Sequence, residues 1–316
     1  MIPLRHLTGI RLAMALFVVA ATTIFLPSPG RLSEMNNLIK QYEQEILWVP
    51  TPSNGGSSRT YLLETAVYRP TGPGPFPLVT INHGKPPPGT DLRGTRPIAM
   101  AATQWFLEHG FAVAIPLRRG YGRSEGEAAD IVGYCDDLNY FATARQTAFE
   151  LGAVIAFLQK QSFVDPTQVI AVGHSHGAFG LLGLAYDPPR GLVGIINFAG
   201  GTGDWAPRGL LDYFWHRAAI CGGADKLVEA NARLGKRNKI PQLWLYSEND
   251  SSFGPSLAHA MFEAYSTGSE ASVSFVALPP WGWHKGHSLF ADGEVSIWAP
   301  AVSRFLANLH ITGYRP

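Results

Sequence analysis

The sequence carries almost no net charge: 25 Lys and Arg oppose 24 Asp and Glu, a formal +1 over 316 residues. That balance removes the electrostatic basis for a nucleic-acid partner, which would require a basic surface. Internal repeats and low-complexity tracts are absent, so repeat arrays are excluded. Charged residues are scarce at 16% against 46% hydrophobic, a balance that suits a globular chain and argues against disorder. Cysteine is rarer still, with only Cys135 and Cys221. Neither lies near the N-terminus, which argues against a lipidated start. No third ligand of suitable spacing accompanies the pair His174 and His176, so no metal site is expected. The glycine-rich loop at 118–126 lacks the Lys-Ser/Thr ending of a phosphate cradle and does not open a helix directly. No cofactor is expected.

What is present begins with a basic start (Arg5, His6, Arg11) and an apolar run over 12–26, closed by Pro27, Pro29 and Gly30. Residues 1–30 therefore read as a secretory leader or as an uncleaved N-terminal membrane tether. The run is short for a spanning helix, which needs about 18 to 20 apolar residues. The expected location is secreted or periplasmic, with or without a membrane anchor. In such a compartment two cysteines can pair. A bridge between the loop at Cys135 and the region near Cys221 and a pair of buried free thiols are both consistent with the sequence, which does not give their separation.

Residues 31–316 are long enough for one large α/β domain. After a polar lead-in over 31–44, early strands are expected at 45–49 and 60–68, the second alternating as a partly exposed strand does. Buried strands follow at 76–82, 111–117 and 168–174, and further strands at 192–198, 242–246 and 273–278. Helices are expected at 97–108, 138–161, 176–186, 255–266 and 293–309, with a helical insertion over the site at about 202–238. Strands alternating with helices predict a mostly parallel, twisted sheet with helices on both faces. Ligands on such sheets bind beyond the carboxyl ends of the strands, and each motif of interest lies at such an end.

The central motif is Gly173-His174-Ser175-His176-Gly177, between an apolar, β-branched run and small, apolar residues. A strand that turns at once into a helix has no room for a Cβ at Gly173 or Gly177, and it forces Ser175 into a strained backbone. The strain exposes a serine hydroxyl beside free helix N–H groups, where the His176 N–H can hold an oxyanion. A serine alcohol needs a base. Histidine is the usual one, and His287 after the last strand is preferred over His284. His174 and His176 are expected to point away from the base. An acid that orients the base should follow the preceding strand; Asp250 is preferred over Glu248. A second oxyanion donor should come from the loop after Asn82. Pro86, Pro87 and Pro88 have no N–H, which leaves Lys85, preferred, or Gly84. Trp205, Tyr213, Phe214, Trp215, Trp281 and Trp283 are either an aromatic pocket or ordinary packing.

Together His83-Gly84, the run Arg119-Gly120-Tyr121-Gly122-Arg123-Ser124-Glu125-Gly126, the Ser175 motif, Asn249-Asp250 and Gly286-His287 resemble the α/β-hydrolase superfamily over roughly residues 60–310. Within it the chain is most similar to the dienelactone-hydrolase-like and prolyl-oligopeptidase-like branch. The resemblance implies an α/β-hydrolase fold, Ser175 as nucleophile with His287 and Asp250, and His176 and Lys85 as the oxyanion hole. Dienelactone hydrolase itself uses cysteine where this chain has Ser175, which favours a serine esterase acting on a small-molecule carboxylic ester. No propeller domain precedes the hydrolase region, so an oligopeptidase is disfavoured. The alternatives are a peptidase or amidase of the same fold, and a non-catalytic binding protein that kept it.

Overall fold

A computed structural model describes residues 42–54, 58–87, 89–96, 99–205, 219–283 and 285–316. The expected leader or tether therefore lies outside the described residues. So do Pro88, His284, and the part of the expected insertion at 206–218 that holds Tyr213, Phe214 and Trp215.

Eight strands form the main sheet: β1 (Glu43–Pro52), β2 (Thr60–Arg69), β3 (Phe76–Asn82), β4 (Ala112–Pro116), β5 (Val164–His174), β6 (Leu192–Phe198), β9 (Gln242–Ser247) and β10 (Val273–Leu278). Two further short strands, β7 (Asp204–Trp205) and β8 (Ala219–Ile220), pair with each other apart from it. The order across the sheet is β1-β2-β4-β3-β5-β6-β9-β10. β2 is antiparallel to β1 and β4, and every other neighbouring pair is parallel. The expected mostly parallel sheet is therefore present.

Seven helices occur among the described residues: α1 (Met100–Glu108), α2 (Tyr140–Leu158), α3 (His176–Ala185), α4 (Ala224–Gly235), α5 (Pro255–Thr267), α6 (Leu289–Asp292) and α7 (Val295–Asn308). They cover both faces of the sheet, because the central strands alternate their apolar side chains between two cores. Val79, Ile81, Val113, Ile115, Ile170 and Val172 face α1 and α7 through Phe106, Trp298 and Leu306. Leu78, Ala112, Ala114, Val169 and Ala171 face α2 and α3 through Leu151, Ile155 and Leu181. Trp244 and Tyr246 face α4 and α5 through Leu227, Leu234 and Tyr265.

Several elements differ from the sequence reading, among them β5, which begins at Val164 rather than at 168. β2 buries Glu64 as well as Leu63, Thr65 and Val67, because Arg123 folds over the strand and pairs with the Glu64 carboxylate at 2.8 Å. The helix expected over 138–161 starts later: Asn139 caps α2 by accepting from the Ala142 N–H at 2.9 Å. Residues 224–235 fall within the expected insertion. They form α4, whose Leu227, Ala230 and Leu234 pack on the sheet as part of the crossover that parallel β6 and β9 require.

Cys135 and Cys221 are joined by a disulfide. It ties the turn before α2 to the end of β8, beside the Tyr140 hydroxyl, which donates to the Cys221 carbonyl at 2.6 Å.

Candidate active site

The chain turns from strand directly into helix at Ser175, between β5 and α3, with φ 53° and ψ −122°. This is left-handed backbone that a non-glycine residue adopts only under constraint, at about 1 to 3 kcal/mol. Both flanking glycines are needed for close approach. A Cβ on Gly173 would lie 2.5 Å from the Ala178 Cα, and one on Gly177 would lie 2.3 Å from the Asn82 carbonyl oxygen. α3 is thereby pressed onto the end of β3. The Ser175 hydroxyl makes no capping bond to its own helix.

It meets His287 instead. The Ser175 Oγ lies 3.0 Å from His287 Nε2, and His287 Nδ1 lies 3.0 Å from Asp250 Oδ2. Nδ1 faces a carboxylate, so it carries the ring proton, and Nε2 is left to accept from the serine hydroxyl. Asp250 is buried in the turn after β9, and its Oδ1 accepts from the Ser252 and Phe253 N–H groups at 2.8 Å each. Those bonds hold the carboxylate independently of His287. Glu248, the other acid considered, is exposed. Gly286 precedes His287 for a different reason from the sharp turn its position suggests: a Cβ there would lie 2.4 Å from Asn249 Oδ1.

The flanking histidines separate. His176 is buried in the helix layer, with Nε2 2.9 Å from Thr147 Oγ1 and Nδ1 2.8 Å from Thr202 Oγ1. Burial, aided by the Arg118 and Lys85 cations, holds its imidazole down at about 3, although Asp130 pulls the other way. His174 does not turn away from the base as expected. Its Nε2 lies 2.6 Å from the His287 carbonyl oxygen, so it donates there and ties the two loops together. Loss of water and the nearby His287 ring hold it neutral, at about 4.

The loop after β3 lies against Ser175: a Cβ on Gly84 would come within 3.1 Å of the Ser175 Cβ. Lys85 is the next residue. Beneath this loop is a buried charged cluster that sequence reasoning missed. Arg118 is 2% exposed and pairs with Asp130 at 2.8 Å, while Tyr121 donates to the same carboxylate. Burial would raise the Asp130 carboxyl, but Arg118 and its neighbours hold it well below the usual range. Arg119 pairs with Glu150 at 2.9 Å, and burial raises the Glu150 carboxyl. The available signal was two consecutive arginines at the end of a buried strand, where charges require partners.

Trp281 is half-buried and Trp283 is 80% exposed, so the tryptophans after β10 do not form a buried pocket wall. Among the described residues no cluster of three metal-ligating side chains occurs, and no helix is long and apolar enough to cross a membrane.

No curated protein matches the sequence. Many solved structures share its fold. The Pyrococcus furiosus esterase Pf2001 superposes with a TM-score of 0.57 at 13% identity, over 86% of this chain and 94% of that one. A Klebsiella pneumoniae protein designated a dienelactone hydrolase gives 0.53 at 16% identity, over 85% and 98%. The acylaminoacyl peptidase of Pyrococcus horikoshii gives 0.56 at 15% identity, covering 90% of this chain but only 45% of the peptidase. The model of the alpha/beta hydrolase family matches residues 83–310, a span that holds the serine at the bend, the imidazole beside it and the carboxylate behind that, and the chain belongs to this family.

Proposed function

We propose that the protein is a serine hydrolase that cleaves carboxylic esters through an acyl-enzyme on Ser175. The observation that carries this reading is the unbroken relay from the Ser175 hydroxyl through His287 to Asp250, with 3.0 Å at each step. His287 Nε2 takes the hydroxyl proton as Ser175 Oγ adds to the ester carbonyl. The same nitrogen then gives the proton to the departing alkoxide. Asp250 stabilises the imidazolium in between. The oxyanion meets the His176 N–H at the start of α3 and the Lys85 N–H. Water, deprotonated by His287, then attacks the acyl-enzyme, releasing the acid and restoring Ser175.

Substitution Ser175→Ala should reduce turnover of short p-nitrophenyl esters by a factor on the order of 10⁴ to 10⁶, with the melting temperature nearly unchanged. An alanine variant with parental turnover would refute the assignment. A fluorophosphonate probe should label Ser175; a binding protein that only kept the fold would stay unlabelled. Peptide and amide substrates run beside the esters separate the esterase from the peptidase reading. The basic start with its apolar run, together with the Cys135–Cys221 disulfide, supports export from the cytosol. The N-terminal sequence of the mature protein tests whether the leader is removed.

A further inference from the structure

Arg118 has no place in the relay, yet it is almost fully buried and its guanidinium reaches the loop that carries the second oxyanion donor. Its Nη1 donates to the His83 carbonyl at 2.5 Å and its Nη2 to the Gly84 carbonyl at 3.2 Å. Its Nε donates to Asp130 Oδ1 at 2.8 Å, which fixes the plane of the fork. The Arg118 backbone N–H donates to His83 Nε2 at 3.1 Å. That nitrogen must therefore be unprotonated, so His83 Nδ1 carries the hydrogen and donates to the Gly84 carbonyl at 2.8 Å. Two donors thus hold the Gly84 carbonyl. The Gly84–Lys85 peptide bond is trans, the one cis bond among the described residues being Gly74–Pro75. In a planar trans peptide the N–H points opposite to the C=O. The Lys85 N–H is consequently fixed on the side of the peptide away from Arg118, in the segment where Gly84 packs on Ser175.

We propose that Arg118, seated on Asp130, is a positioning residue: by gripping the carbonyls of His83 and Gly84 it aims the Lys85 N–H at the oxyanion. The proposal rests on the serine-hydrolase reading. It assigns Arg118 a transition-state role without contact to substrate, so its loss should lower kcat and leave KM alone.

The test compares the parent with Arg118→Lys and with the double variant Arg118→Met/Asp130→Asn. Lysine keeps a charge for Asp130 but cannot span two carbonyls as a fork. The double variant leaves no buried charge unpaired. In either, kcat for p-nitrophenyl acetate should fall about 10- to 100-fold, with KM within about twofold. The affinity of a boronic acid, which forms a tetrahedral adduct on Ser175, should fall by the same factor as kcat/KM. In the parent, the ¹⁵N-resolved Lys85 amide proton should move downfield when the boronate binds, a readout that requires no variant to fold. A folded variant with parental kcat overturns the proposal, as does a Lys85 amide that does not move. A parent that neither hydrolyses esters or amides nor reacts with fluorophosphonate refutes the hydrolase reading, and with it this one. A parent that turns over beside an equally active Arg118→Lys variant refutes this one alone.

Discussion

His176 makes the fold acid-sensitive in a way that can be worked out in advance. The imidazole is 1% exposed, sits between the hydroxyls of Thr147 and Thr202, and is held at about 3, against an ordinary histidine value near 6.5. Protonation therefore favours the unfolded chain. The folded value is depressed, so between about 6.5 and 3 the unfolded state binds more protons, and stability falls as pH falls through that window. At pH 5 the loss from this one residue is about 2 kcal/mol, and at pH 4 about 3 kcal/mol. His174, held at about 4, loses stability in the same direction. Glu150 acts oppositely near its own, raised, value, and Asp130, whose value is lowered, contributes only in stronger acid. The substitution His176→Gln isolates the contribution: glutamine keeps the backbone N–H at 176 and a neutral hydrogen-bonding side chain. Urea midpoints at pH 7, 6 and 5, with the disulfide intact, should show the parent losing about 2 kcal/mol more than the variant between pH 7 and pH 5. Equal losses would mean that His176 is not kept neutral in the folded state, and the account of the buried cluster around it would be wrong.

Other consequences are checked as directly. Gly177→Ala places a methyl 2.3 Å from the Asn82 carbonyl oxygen, so α3 must move off β3. Stability should drop by about 1 to 3 kcal/mol, and ester turnover should fall with it because Ser175 and the Lys85 loop separate; an unaffected kcat would count against this packing. Breaking the Cys135–Cys221 bond, whose partners are 86 residues apart, should reduce unfolding free energy by up to about 4 to 5 kcal/mol. Urea midpoints with and without reductant measure that loss, and coincident curves would argue against a bridge formed in the native protein.

Much of this fold was legible because buried parallel strands are written as short apolar runs. The spans expected at 76–82 and 192–198 are observed as strands buried along nearly their whole length, and 273–278 is observed as the edge strand β10, where only Leu278 is buried. Ser175, Asp250 and His287 each lie in the segment that follows a strand end, a placement visible in the sequence, and their side chains meet in space. What stayed hidden depends on contacts between segments far apart in the chain. The direction of the His174 ring is set by a carbonyl 113 residues away. Gly286 is required by Asn249, and no local pattern reports that. The pairing of Arg118 with Asp130 could be suspected from an arginine at a buried strand end, but not its grip on two carbonyls of another loop. Within the insertion expected at 202–238, residues 224–235 carry the apolar spacing of a helix packed on a sheet, through Leu227, Ala230 and Leu234.

Because His174 bonds the main chain of residue 287 while Asp250 bonds its side chain, the imidazole is located by two anchors that come from the ends of different strands. The stretch before Gly286 is pinned beside them: Asn249, next to Asp250, donates to the Trp281 and Gly282 carbonyls at 3.1 and 3.0 Å and accepts from the Trp281 N–H at 3.0 Å, so an insertion or deletion within residues 279–283 would pull on the same turn that holds the carboxylate.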